Sequence, residues 1–154
     1  MPVRSAGLLP FRLDGTLEVL IAHPGGPFWA NRDEGAWSLV KGLIEPDEDE
    51  RSAAAREFEE ETGWRVSTSN WIPLGETRLK SRKVVSAWAV EEDFDPLELN
   101  PGTFQMHGRE YPEIDRVDWM SPDEARVKLN PALAVFIDRL EEHLELNGDG
   151  DGKD

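Results

Sequence analysis

A chain of 154 residues, 38% hydrophobic and 32% charged, is long enough to bury a core of its own and suits a single domain. Its 32 acidic against 17 basic residues leave a formal net charge of -15, which repels a polynucleotide backbone and argues against long nucleic acid as a partner. With no cysteine there is neither a disulfide framework nor a thiolate metal site, as expected of a reducing cytoplasm. The opening MPVRSAGLLPFRLDG has an apolar run too short, and too soon broken by Pro10 and Arg12, for a signal peptide. No later run could span a bilayer, so the expectation is a cytoplasmic protein with no membrane partner.

The first forty residues read as strands: VRSAGLLPFR, then TLEVLIAHP after the Asp14-Gly15 turn, then AWSLVKG. A helix is predicted from about Asp47, as its cap, to Thr62, with Ala53, Ala54 and Phe58 as its apolar surface and Gly63 where a left-handed residue ends helices. WRVST, NWIPLGETRL and KVVSAWAVEED read as further strands of a mixed sheet. Residues 94–113 carry no sustained pattern and are expected to form a long loop that shapes a binding site. IDRVDWM is a short strand. Ser121-Pro122-Asp123-Glu124 is a capping box with proline at the first helical position, and Asn130-Pro131 is expected to open a last helix in the same way. Leu133, Phe136, Ile137, Leu140 and Leu144 form one apolar stripe on it, a packing face with no chemistry implied.

The domain is expected to fill residues 1–146, leaving 147–154, NGDGDGKD, as a disordered acidic tail. Asn147, Asp149, Asp151 and Gly152 match the opening of a calcium loop, but its bidentate glutamate and exiting helix are missing. His23, His107 and His143 show no ligand spacing and are given no chemistry.

REFEEETGW, residues 56–64, puts four glutamates into the five positions 57–61. On a helix Glu57, Glu60 and Glu61 share a face, where like charges cost a few tenths of a kcal/mol per pair, so an outside charge is needed. Magnesium suits the role because it takes oxygen ligands and keeps waters. Upstream, five residues separate Gly42 from Glu48 and seven more separate Glu48 from Arg56. GLIEPDEDERSAAAREFEEETGW therefore resembles the Nudix box, G-x5-E-x7-R-E-U-x-E-E-x-G-U, at every specified position. The order of elements outside the box is similar to that of a Nudix domain.

The resemblance implies an α/β/α sandwich with a mixed sheet between helices. It also implies hydrolysis of a pyrophosphate linkage in a nucleoside diphosphate joined to another moiety, X, with Mg2+, or Mn2+, as cofactor. The implied metal ligands are Glu57, Glu60, Glu61 and the backbone carbonyl of Lys41, with Glu57 alternatively the general base. Arg56 resembles the arginine that pairs with a box glutamate, here Glu48, and fixes its rotamer. Gly42 and Gly63 look structural, and Glu59 should face solvent. The Lys41-Gly42 pair is more like the diadenosine polyphosphate hydrolases than the enzymes that cleanse oxidised guanine nucleotides. The favoured substrate is thus a dinucleoside polyphosphate, with oxidised nucleoside triphosphates or a non-catalytic nucleotide-binding role as alternatives. Val40 replaces the usual proline there.

A late acid is recruited in several members of the family, and of Glu110, Glu113 and Asp115 the preferred one is Glu113, shortly before the strand that contains Trp119. The basic cluster Arg78, Lys80, Arg82 and Lys83, together with the side chain of Lys41, is the candidate phosphate-binding set, weighed against an ordinary solvated turn. Tyr111, Phe28 and Trp29 are candidates to stack a base, with core packing as the default. A homodimer is compatible with all of this.

Overall fold

A computed structural model describes residues 3–152, with side chains to Glu145. β1 (Arg4–Asp14) and β2 (Thr16–Pro24) pair antiparallel around Gly15, whose φ of 82° makes the reversal possible. β1 is the centre of the sheet and is buried from Ser5 to Phe11. It runs parallel to β5 (Val84–Glu91), while its other edge is shared by β3 (Val40–Leu43) opposite residues 5–8 and by β2 opposite residues 11–14. β4 (Ile72–Arg78) closes one edge against β5, and β8 (Ile114–Met120) closes the other against β2.

The period of two along β1 and β2 sorts the core onto two faces. Ala6, Leu8, Leu20, Ala22 and Val40 meet Ala53, Ala54 and Phe58 of α1 (Glu50–Thr62). Leu9, Phe11, Val19 and Ile21 meet Ala125 of α2 (Pro122–Lys128) and Phe136, Ile137 and Leu140 of α3 (Val135–Gly152). The molecule is thus an α/β/α sandwich around a mixed sheet. The stripe expected on the last helix is buried at Phe136, Ile137 and Leu140 and partly buried at Leu144. Edge strand β4 is covered by α3: Arg139 donates to the carbonyls of Leu74, at 2.9 Å, and Glu76, at 3.0 Å. Among the described residues no helix is long and apolar enough to cross a membrane.

Several boundaries differ from expectation. α1 starts at Glu50, not near Asp47, because Asp49 is its cap and accepts from the Ser52 N–H at 2.8 Å, whereas Asp47 lies at φ 66°. WRVST forms no strand: Trp64 is taken up by stacking on Phe94, at 4.8 Å, and Val66 is buried. Residues 36–39 contribute isolated bridges, Ala22 to Ser38 and Trp37 to Leu129, before β3 begins. The long loop contains a hairpin, β6 (Thr103–Met106) and β7 (Arg109–Pro112), turned by His107 and Gly108 at φ 52° and 77°. Both angles are positive, as a two-residue type I′ turn requires. Asn130-Pro131 opens only a 3-10 turn (Pro131–Leu133), with the Asn130 side chain capping the Ala132 N–H. The backbone of α3 is continuous to Gly152, through residues 147–152 of the expected tail. Residues 153 and 154 lie outside the described residues, as do the side chains on which the calcium-loop comparison rests.

Candidate active site

α1 is anchored at both ends by its own sequence, with Asp49 as its N-cap and Gly63 at φ 81° as its left-handed C-cap. Between these caps Arg56 spreads its guanidinium over four acceptor groups. Its Nε and Nη2 hold Glu48 in a fork, at 2.7 and 2.9 Å. Nη2 also donates to the Leu43 carbonyl at 3.0 Å, while Nη1 donates to Glu57 at 2.9 Å and Glu60 at 3.3 Å. Arg56 therefore fastens the loop before the helix to the helix itself, by planar bidentate contacts that lysine cannot reproduce. Hydrogen bonds from Arg56, then the Glu45 N–H, lower the Glu48 carboxyl to about 2, and the Arg56 guanidinium is held more firmly protonated, first by Glu48.

The glutamates of α1 divide into two kinds. Glu57 lies over Gly42, so close that a Cβ there would sit 2.0 Å from its Cδ. Gly42 is not in the left-handed region, so glycine is required here for space. Glu61 is half-buried, and its carboxyl is pushed up to about 9 by burial first, then by Glu57 and the charge of Glu113. Glu113 is likewise raised, by desolvation and then by Glu57. Glu60 is 58% exposed and leans on Arg56 instead. Among the described residues no three acidic or imidazole side chains already converge as ligands of one ion. Part of the crowding is thus relieved by Arg56 and by the raised proton affinity of Glu61. Glu59 is exposed, near Arg65 at 3.9 Å.

A cavity of about 310 Å3 adjoins these acids, with Glu61, Glu113 and Lys41 among its walls and Trp29, Trp37, Leu39 and Leu133 forming much of the rest. Lys41 is paired opposite Gly7, where any Cβ would meet its own Cβ at 2.8 Å. No carboxylate lies within ion-pair distance of Lys41 among the described residues, and burial first, then Lys83, lowers its pKa, opposed by Glu61 and Glu57. A half-buried ammonium with no close counter-ion is costly, and an anionic ligand would relieve the cost.

The other candidates disperse. Arg78, Lys80, Arg82 and Lys83 are exposed around the β4–β5 turn, and of these Lys83 is the one whose charge acts on Lys41. Leu79, from the same turn, lines the cavity. Tyr111 packs on Phe104 at 5.9 Å, away from the cavity walls, while Trp29 lines them and Phe28 is exposed under the Arg32 guanidinium. Glu110 is taken by Thr103 at 2.7 Å, and Asp115 by His23 at 2.8 Å. His23, to which the sequence assigns nothing, is buried and joins Asp115 to the Arg32 carbonyl, with its ring edge-on to Trp37 at 5.3 Å. Trp37, Asn130 and Leu133 of the cavity walls carry no sequence signal for a binding site, the last two being marked only as a helix start and a packing face.

An oxygen-only donor set of crowded carboxylates, without sulfur or imidazole, fits a hard divalent cation. The curated relative CTP pyrophosphohydrolase of Escherichia coli (strain K12) is 33% identical over 92 residues, a match that spans 59% of this chain and 59% of the relative. Among solved structures, a C. elegans Ap4A hydrolase binary complex superposes with a TM-score of 0.63 at 22% identity, covering 91% of this chain and 97% of that one. The NUDIX domain of Shewanella oneidensis NrtR, complexed with ADP ribose, does so with a TM-score of 0.64 at 16% identity, covering 94% and 89%. These two similarities show a shared fold. The NUDIX domain family model matches residues 1–140, and the chain belongs to the Nudix family.

Proposed function

We propose that this chain is a divalent-cation-dependent pyrophosphohydrolase acting on nucleotides, with Mg2+ as the preferred ion and Mn2+ able to replace it. The observation that carries this reading is the joining of two unlike environments: Glu61 and Glu113, both acted on by Glu57, line an apolar cavity whose wall also includes Lys41. Carboxylates alone would repel a pyrophosphate, and an apolar cavity alone would not orient one. A cation held by Glu57, Glu60 and Glu61 would supply neutralisation of the phosphate oxygens and activation of water.

The remaining work falls to the protein. The cavity binds one nucleoside, its volume lying at the low end for ligand sites. Lys41 takes a phosphate oxygen, which supplies its missing counter-ion. Glu113, whose carboxyl is raised from its ordinary value by burial and then by Glu57, accepts the proton of the attacking water, a role that a stronger base fills better. Arg56 keeps Glu48, Glu57 and Glu60 in register and does not touch substrate.

Room for a single nucleoside, together with the relative named CTP pyrophosphohydrolase, favours a nucleoside triphosphate as substrate. The Lys41-Gly42 pair keeps a dinucleoside polyphosphate as the second reading, its other nucleoside lying outside the cavity near exposed Phe28. The test is release of phosphate or pyrophosphate from CTP, the other common nucleoside triphosphates, 8-oxo-dGTP and diadenosine tetraphosphate, with Mg2+ and with chelator. Turnover of at least one nucleotide that chelator abolishes is expected. Tight nucleotide binding with no turnover of any of them would instead mark a non-catalytic binder.

A further inference from the structure

Glu113 is joined to the helix bearing Glu57, Glu60 and Glu61 through one residue, Gly102. The Gly102 N–H donates to the Glu60 carbonyl at 3.1 Å, and the Gly102 carbonyl accepts from the Glu113 N–H at 2.8 Å. Two residues earlier, the Asn100 N–H donates to the Thr62 carbonyl at 2.9 Å. Pro101, between them, has no N–H to leave unpaired and a nearly fixed φ. Residues 100–102 therefore cross the end of α1 as a strap, taking up carbonyls that a helix terminus leaves without an intrahelical donor. On the far side of Glu113, its carbonyl accepts from the Gly25 N–H at 3.0 Å.

We propose that Gly102 is a positioning residue for the hydrolytic reaction, setting the separation between Glu113 and the glutamates of α1. The proposal rests on the reading of Glu113 as the proton acceptor. Gly102 is outside the left-handed region, so conformation does not demand glycine there. Space does: a Cβ at 102 would lie 2.9 Å from the Glu60 carbonyl oxygen, a backbone atom that no side-chain rotation can move aside. Any larger residue must lift the strap from the helix end, and the 2.8 Å bond carries Glu113 with it. Gly25 is as tightly placed, since a Cβ there would fall 2.0 Å from the Pro112 carbonyl oxygen. Glu113 is thus gripped on both sides of its backbone by residues without side chains. Proton transfer in a bound complex is sensitive to displacements of an ångström or less, which can cost a hundredfold in rate.

The test is a double-mutant cycle on Gly102→Ala and Glu113→Gln, assayed in Mg2+ with whichever nucleotide of the panel above the wild type turns over fastest. Glu113→Gln should lower kcat by about a hundredfold, the usual scale for loss of a general base. Gly102→Ala should lower kcat by roughly tenfold with KM within about twofold of wild type, and should add nothing in the Glu113→Gln background. Pro101→Gly, which slackens the strap without a clash, should shift kcat in the same direction by a smaller factor and be equally silent beside Glu113→Gln. It serves as the readout should Gly102→Ala fail to fold. Multiplying effects in the double variants, or wild-type kcat in Gly102→Ala or in the slackened strap beside an impaired Glu113→Gln, overturns the proposal alone. Wild-type kcat in Glu113→Gln itself overturns the assignment of Glu113, and the proposal with it.

Discussion

Replacing Glu61 by Gln tests whether the acidic helix is built for a cation. The Glu61 carboxyl is raised from 4.5 to about 9, by burial before the effects of Glu57 and Glu113. A raised folded-state value means that the folded protein holds the proton more tightly than the unfolded chain. The stabilising contribution is fully present below pH 4.5 and is lost progressively as pH rises toward 9. At about 1.4 kcal/mol per unit, the loss at pH 7.5 is on the order of 4 kcal/mol in the absence of metal. Glutamine is neutral at every pH, and its amide can donate to Glu57 as the protonated acid does. In chelator at pH 7.5 Glu61→Gln should therefore melt above wild type, by roughly 8–16 °C for a domain of this size. Its melting temperature should also vary less between pH 5 and 9. At a hundredfold excess over Kd, Mg2+ should stabilise wild type by about 2.7 kcal/mol and the variant, short of one ligand, by less. Thermal melting of both proteins across pH, with chelator and with Mg2+, reads all three effects. Equal Mg2+ shifts, or a variant that melts lower than wild type in chelator, would refute the reasoning.

Gly42→Ala places a methyl group where the Glu57 carboxylate now lies, so Mn2+ affinity and turnover should both fall, turnover by about a hundredfold, while circular dichroism stays native; unchanged Mn2+ titration would contradict the role given to Glu57. Arg56→Lys loses the fork on Glu48 and the bonds to Leu43, Glu57 and Glu60, and should lower the melting temperature at neutral pH. Because the Glu48 carboxyl is depressed to about 2, that pair stabilises above pH 4.5 and is lost as pH falls toward 2, so the two melting curves should converge in acid. Arg139→Leu removes the donor that covers the Leu74 and Glu76 carbonyls of edge strand β4. It should promote concentration-dependent association in size-exclusion chromatography, and a variant that stays as dispersed as wild type would show the edge to be protected otherwise.

The parts of this site that can be read from the chain are those in which chemistry demands a local spacing. Arg56, Glu57, Glu60 and Glu61 share one helix, Gly63 ends it, and Ser121 with Glu124 caps the next, so their geometry follows from 3.6 residues per turn. Even Glu48, eight residues from Arg56, lies within the same loop-helix unit. WRVST failed as a strand because alternation says nothing about whether a sheet edge is free to receive it, and Trp64 and Val66 found packing elsewhere. The hairpin at residues 103–112 was missed because its turn is His107-Gly108, in which histidine takes the positive φ more often taken by asparagine.

Glu113 shows where local reasoning stops. Its side chain is an ordinary acid in an irregular stretch, no better marked than Glu110 or Asp115, and those two are engaged by Thr103 and His23. What separates Glu113 from them is main-chain bonding to Gly102 and Gly25, residues 11 and 88 positions away in the chain. Neither glycine belongs to a motif, and neither adopts the positive φ that would account for it by conformation. Each is small because a backbone carbonyl occupies the place of its Cβ, the Glu60 oxygen at 2.9 Å and the Pro112 oxygen at 2.0 Å. A helix can present three carboxylates by itself, but bringing a fourth from another part of the chain to face them takes close backbone contact, and close backbone contact requires glycine.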